Sequence, residues 1–178
     1  MKTRVFLAIL LAGGMTISAA AQQPPPPAQG AAPGRPAGPP RSPLPPPEPA
    51  EHIKDNIWKI FGGGGNTLVV VQKAGVVLVD TKMPGNGPYI VEQVKKITDK
   101  PITLIINTHS HPDHIGSTDY IREKYPNVQV VMNEKTKEEI LAGPFNKPGY
   151  LPTQTYTDRL KIGEGDDRYL YTFVPGKG

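Results

Sequence analysis

At 178 residues, with twenty Lys+Arg against sixteen Asp+Glu and no cysteine, the chain excludes both a disulfide framework and a cysteine-linked lipid anchor. The formal charge of +4 comes mostly from the N-terminal region. Residues 50–178 carry sixteen basic against fifteen acidic side chains, and no basic stripe or aromatic interleaving suits them to nucleic acid.

The first 21 residues read as a secretory signal peptide. Lys2 and Arg4 form a basic start, Val5 to Leu11 an apolar middle, and Ala19-Ala20-Ala21 a small-x-small cleavage site. The apolar stretch is too short for a membrane anchor, so no stable anchor is expected after cleavage. Residues 22–50 follow as a linker, with 13 of the chain's 22 prolines between positions 24 and 49. Proline fixes φ and removes a donor, so this stretch is expected to be a semi-extended spacer rather than sheet or helix. A folded domain is expected over 51–178, long enough for one hydrophobic core.

Within that domain, Ile57 to Phe61 predicts a short strand, broken by Gly62 to Gly65. The β-branched runs Thr67 to Gln72 and Val76 to Val79, with Lys73-Ala74-Gly75 between them, predict a hairpin. Pro88 suits the first turn of a helix, and Ile90, Val91, Val94 and Ile97 recur at helical spacing. Ile102 to Ile106 is a continuous apolar run, the pattern of a strand buried on both faces. Ser117 is placed to cap a short helix through Lys124, Val128 to Met132 predicts a strand, and Asn133 a cap for a helix through Ala142. Thr157 to Ile162 and Tyr169 to Val174 read as strands after a Gly/Pro-rich loop. The order predicts an α/β (α+β) architecture. The four glycines lack the GK[ST] of a phosphate-binding loop, so they are read as a flexible hairpin loop.

Three of the four histidines fall in six residues, His109-Ser110-His111-Pro112-Asp113-His114, at the carboxyl end of the apolar strand. Open α/β sheets place their chemistry at that end. Imidazole and carboxylate are ligands for a borderline ion such as zinc. The string is too short for a helix of its own, and the i, i+2 spacing of His109 and His111 suits an extended or looping backbone. His52, at the linker boundary, is a poor further ligand. Trp58 reads as core, and Asp119, Asp166 and Asp167 as solvated or capping residues.

HSHPDH resembles the HxHxDH signature of the metallo-β-lactamase superfamily, and its surroundings match too. Asn66 to Thr81 (NTLVVVQKAGVVLVDT) is similar to the family's first hairpin, ending in its Asp at Asp80. Leu104 to Ser117 (LIINTHSHPDHIGS) is similar to its strand and metal loop. Lys82 stands where the family often has glycine. The resemblance implies an αββα sandwich, of which Asn56 to Gly178 would be the N-terminal half. It implies that His109 and His111 bind one metal, that Asp113 and His114 bind a second, and that Asp80 steadies the loop from behind.

By the same resemblance the chain would be an exported, periplasmic or secreted, zinc-dependent hydrolase using a metal-bound hydroxide, with Asp113 orienting the nucleophile. Small-molecule substrates in this class include β-lactams, thioesters, lactones and phosphoesters. Iron is an alternative metal, since imidazole and carboxylate also suit it. Family members carry further ligands, one in a Gly-His-Thr turn after a later strand, and YLYTFVPGKG resembles the lead into that turn. The remaining ligands are therefore expected to lie outside the chain. The alternative readings are a β-lactamase subclass and an inactive fragment that binds metal weakly.

Overall fold

The computed structural model describes residues 44–163 in full and the backbone of 169–172. The proposed signal peptide, most of the linker, Asp166, Asp167 and the end of the chain from Phe173 lie outside the described residues. All described residues belong to one compact unit, Ser42–Gly178.

Seven strands form one sheet in chain order: β1 (Glu51–Lys54), β2 (Ile57–Ile60), β3 (Thr67–Val71), β4 (Val76–Val79), β5 (Ile102–Ile106), β6 (Gln129–Asn133) and β7 (Gln154–Tyr156). The first four pair antiparallel, as short loops allow. The last four pair parallel, because a helix carries the chain back each time. These crossovers are α1 (Gly87–Ile97), then α2 (Pro112–Ile115) with α3 (Thr118–Lys124), and α4 (Glu134–Ala142). A two-stranded antiparallel ribbon, β8 (Arg159–Ile162) and β9 (Tyr169–Thr172), completes the described chain.

The alternation of the strands divides the core in two. Val69, Val76, Leu78, Ile105, Val130 and Met132 pack with Ile90, Val91 and Val94 of α1, Ile121 of α3 and Ile140 of α4. Val77, Leu104, Ile106 and Val131 face the other way, and Leu160 and Ile162 of β8 pack against them. A sheet with apolar side chains on both faces must be covered on both. Helices cover one face here, and β8 lies against the other.

Several elements form as their sequences require. Pro88 sits at the start of α1, and Asn133 Oδ1 accepts the Lys135 amide at 3.0 Å as the cap of α4. Ser117 precedes α3 but does not cap it; its hydroxyl donates to the Met83 carbonyl at 2.8 Å. The second half of HSHPDH is not a loop. Pro112 opens a four-residue helical turn, α2, in which Asp113 and His114 both lie. Proline suits a first helical position because that amide needs no helical acceptor.

Candidate metal centre

β5 ends at Ile106, and the chain leaves the carboxyl end of the strand through Asn107 and Thr108 into the histidine-rich segment. The Nε2 of His109 and the Nδ1 of His111 lie 3.1 Å apart, with ring centroids at 4.7 Å. Two imidazole nitrogens on one tetrahedral zinc stand about 3.3 Å apart, given Zn–N bonds of about 2.0–2.1 Å. The His109 and His114 rings are 3.9 Å apart, and His114 Nε2 lies 3.5 Å from Asp113 Oδ2. The four side chains named from the sequence thus come together as two pairs that share His109 and His114 as neighbours. Among the described residues, no set of three His, Asp or Glu side chains converges in metal-holding geometry.

Behind the rings stands Asp80, 4% exposed, at the end of β4. Its Oδ2 accepts from His114 Nδ1 at 2.7 Å and from the Thr108 hydroxyl at 2.7 Å, and its Oδ1 accepts the Thr108 amide at 2.8 Å. The Thr108 hydroxyl also lies 3.0 Å from His109 Nδ1. The inner nitrogens of both rings are therefore engaged, which turns the Nε2 atoms of His109 and His114 towards His111 and Asp113. A carboxylate behind a ligating histidine fixes the ring's tautomer and raises its basicity. Imidazole and carboxylate donors backed in this way are the kind a metal ion takes, here gathered two to a pair. Burial pushes the His109 ring below the usual imidazole pKa of 6.5, and the neighbouring charge of His114 lowers it further.

The backbone of α2 is held as firmly. The His114 carbonyl accepts from the Thr81 amide at 2.7 Å, the Thr81 hydroxyl at 3.2 Å and Asn107 Nδ2 at 3.2 Å. The Ser110 hydroxyl donates to Glu139 at 2.5 Å, tying the segment to α4. His52 is remote from these contacts. Its Nε2 lies 2.9 Å from the Asp55 carbonyl and its ring meets that of Trp58 at a tilt, centroids 4.8 Å apart, while Trp58 itself packs at the edge of the core. Asp119 Oδ1 accepts the adjacent Tyr120 amide at 2.7 Å.

Two contributors carried no chemical signature in the sequence. The glycine loop lies against α2: the Gly65 amide donates to the Asp113 carbonyl at 3.2 Å. Lys82, fully buried, donates from Nζ to the carbonyls of Ile60, Gly62 and Gly65 at 2.7 to 2.8 Å. The loop is not a free hairpin. Pro45 also accepts the Gly63 amide, and Asn86 Nδ2 donates to the Gly63 carbonyl.

The sequence profile of the metallo-beta-lactamase superfamily matches residues 60–177. The chain belongs to that superfamily. It is 32% identical over 136 residues to a metallo-beta-lactamase type 2 of Bacillus sp. (strain 170), covering 71% of this chain and 50% of that one. It is 32% identical over 131 residues to a hydroxyacylglutathione hydrolase of Aliivibrio fischeri, covering 70% and 40%. Among solved structures, the subclass B3 metallo-beta-lactamase BJP-1 of Bradyrhizobium japonicum superposes with a TM-score of 0.57 at 26% identity, covering 68% of this chain and 50% of that one. The chain spans half or less of the length of these superfamily members. The mixed sheet with its helices is the fold they share.

Proposed function

We propose that this superfamily chain is a zinc-dependent hydrolase domain acting on small molecules, with His109 and His111 ligating one metal and Asp113 and His114 a second. The observation that carries the reading is the convergence of His109 Nε2 and His111 Nδ1 at 3.1 Å, with Asp80 and Thr108 engaging the far nitrogens of His114 and His109. Zinc held there would lower the pKa of its water to about 7 and polarise a substrate oxygen. Asp113, partly open to solvent, would orient the attacking water, and Asp80 would hold His114 as the tautomer with a free Nε2. Carbonyl compounds such as β-lactams, thioesters and lactones suit this chemistry.

A second reading, a metal-binding domain with little turnover, is favoured by the pairing of the ligands. Among the described residues each proposed metal receives two protein ligands, where catalytic zinc takes three plus water. The 178-residue chain is therefore expected to bind zinc weakly and to hydrolyse nitrocefin, a thioester and a lactone slowly. Zinc competes with protons for imidazole, so affinity should rise with pH through the histidine range. His109, with its lowered pKa, reaches the neutral form at lower pH than a solvated ring. Calorimetric zinc titration between pH 5.5 and 8 checks this. Affinity that is flat or falls with pH would sink the ligand assignment, and fast chelator-sensitive turnover would overturn the two-ligand count.

We also place the protein outside the cytoplasm, on the strength of the basic start, apolar middle and Ala19-Ala20-Ala21 site. No helix among the described residues is long and apolar enough to cross a membrane. Mass spectrometry of the exported protein should find Gln22 at the N-terminus. Retention of Met1 would contradict export by cleavage.

A further inference from the structure

Lys82 occupies a position that two separate effects make unfavourable for lysine. Its side chain is 0% exposed, and its φ is 61°, in the left-handed region where glycine is at ease. A side chain in that region crowds its own backbone and is strained. A buried ammonium is costlier still unless its donors are satisfied.

The donors are satisfied, and by a particular set of acceptors. An ammonium has three N–H groups. Ile60 lies at the end of β2, Gly62 at the start of the glycine loop and Gly65 two residues before β3; all three carbonyls meet Lys82 Nζ. One charge thus gathers both ends of the loop around a single point. Among the described residues Lys82 forms no ion pair, so its bonds to these carbonyls are its whole compensation. Burial lowers its pKa to about 8, which leaves it charged at neutral pH.

The gathered loop presses on the proposed second ligand pair. A Cβ on Gly64 would stand 2.9 Å from Asp113 Cβ. One on Gly65 would stand 2.5 Å from the Asp113 carbonyl oxygen and 3.1 Å from His114 Nε2. The loop backbone therefore forms a wall against α2, and the Gly65 amide joins that wall to Asp113.

We propose that Lys82 is a positioning residue: by drawing the carbonyls of Ile60, Gly62 and Gly65 together it clamps the glycine loop against α2 and fixes Asp113 and His114 for metal. The ligand part of this inference rests on the metal reading above; the clamp does not. The left-handed backbone makes the test sharp. Lys82→Gly removes the ammonium and relieves the backbone strain together, but it also empties the volume of a buried side chain. Lys82→Met removes the ammonium and keeps the strain and most of the side-chain volume.

Amide hydrogen exchange on the full chain without metal reads the clamp, and titration with zinc alone reads the ligands. In both variants exchange at Gly65 should speed by tenfold or more, while Ile105 in the central strand stays protected. Zinc affinity should fall about tenfold or more, the effect expected when an outer support of a metal site is removed. If Lys82→Met does not fold, Lys82→Gly decides alone. Unchanged Gly65 exchange in Lys82→Gly overturns the clamp, and faster exchange with unchanged zinc affinity overturns its role at the ligands. If the parent chain itself takes up no zinc, the metal reading and the ligand role fall together, and the exchange result still judges the clamp.

Discussion

Replacing Asp80 by alanine is expected to destabilise the fold by about 3 kcal/mol and to weaken zinc binding by about 10- to 100-fold. The buried carboxylate accepts three hydrogen bonds, from the Thr108 amide, the Thr108 hydroxyl and His114 Nδ1. Bonds to a charged acceptor contribute about 1.5–3 kcal/mol each, and truncation strands their donors. Alanine would also inherit a φ of 62°. Denaturant unfolding and zinc titration measure the two effects separately.

Asp80→Asn separates them further. Asparagine tolerates the left-handed backbone and keeps the shape of the side chain. Its carbonyl oxygen can still accept the Thr108 amide, which turns its NH₂ towards His114 Nδ1. His114 Nδ1 must then accept, so the ring proton moves to Nε2, the atom proposed to face the metal. Stability should fall by no more than about 2 kcal/mol, while zinc affinity falls as far as in the alanine variant. An Asp80→Asn protein that binds zinc like the parent would show that the His114 tautomer does not govern the site.

The parts of this architecture that were legible in the sequence are those whose cause is local. Val76–Val79 and Ile102–Ile106 are strands to the residue, because β-branched and apolar runs of that length have few other uses. α1 follows its apolar spacing and Asn133 its capping chemistry. β1 was not legible. Glu51–Lys54 is exposed throughout and is a strand only because β2 offers it an edge. β7 was missed for a similar reason. Its three residues lie in a Pro- and Gly-rich stretch and depend on parallel pairing with β6 and on Asn133 Nδ2, which donates to the Tyr156 carbonyl at 2.9 Å.

The site divides in the same way. His109, His111, Asp113 and His114 announced themselves by proximity in sequence. Asp80, 34 residues from His114, was singled out only through the family resemblance. The helical turn at Pro112 had a local signal in proline followed by an acidic first turn, and the looping pattern of His109 to His111 outweighed it. Lys82 stood out only as a departure from the family's glycine, and the glycine loop only as a flexible hairpin loop. Their partners lie 17 to 22 residues away for Lys82, and the Gly65 contact joins segments 48 residues apart. Four adjacent glycines read as freedom; in the fold they permit close approach.

That closeness can be tested with a single methyl group. Gly65→Ala is expected to cost about 1–3 kcal/mol of stability, as overpacking does, and to weaken zinc binding by about tenfold or more. The added Cβ would lie 2.5 Å from the Asp113 carbonyl oxygen, an atom fixed in the backbone of α2, so the loop or the turn must move. Movement of the loop breaks the Gly65–Asp113 bond and pulls on Lys82; movement of the turn shifts Asp113 and His114 directly. Either path reaches the proposed second ligand pair. Gly85→Ala serves as the control. At φ 91° it is strained by any side chain, but its Cβ would meet nothing within 4 Å. It should lose about 1–2 kcal/mol of stability and bind zinc as the parent does. Equal zinc affinities for the two variants, measured on folded protein, would mean that the glycine wall does not shape the site.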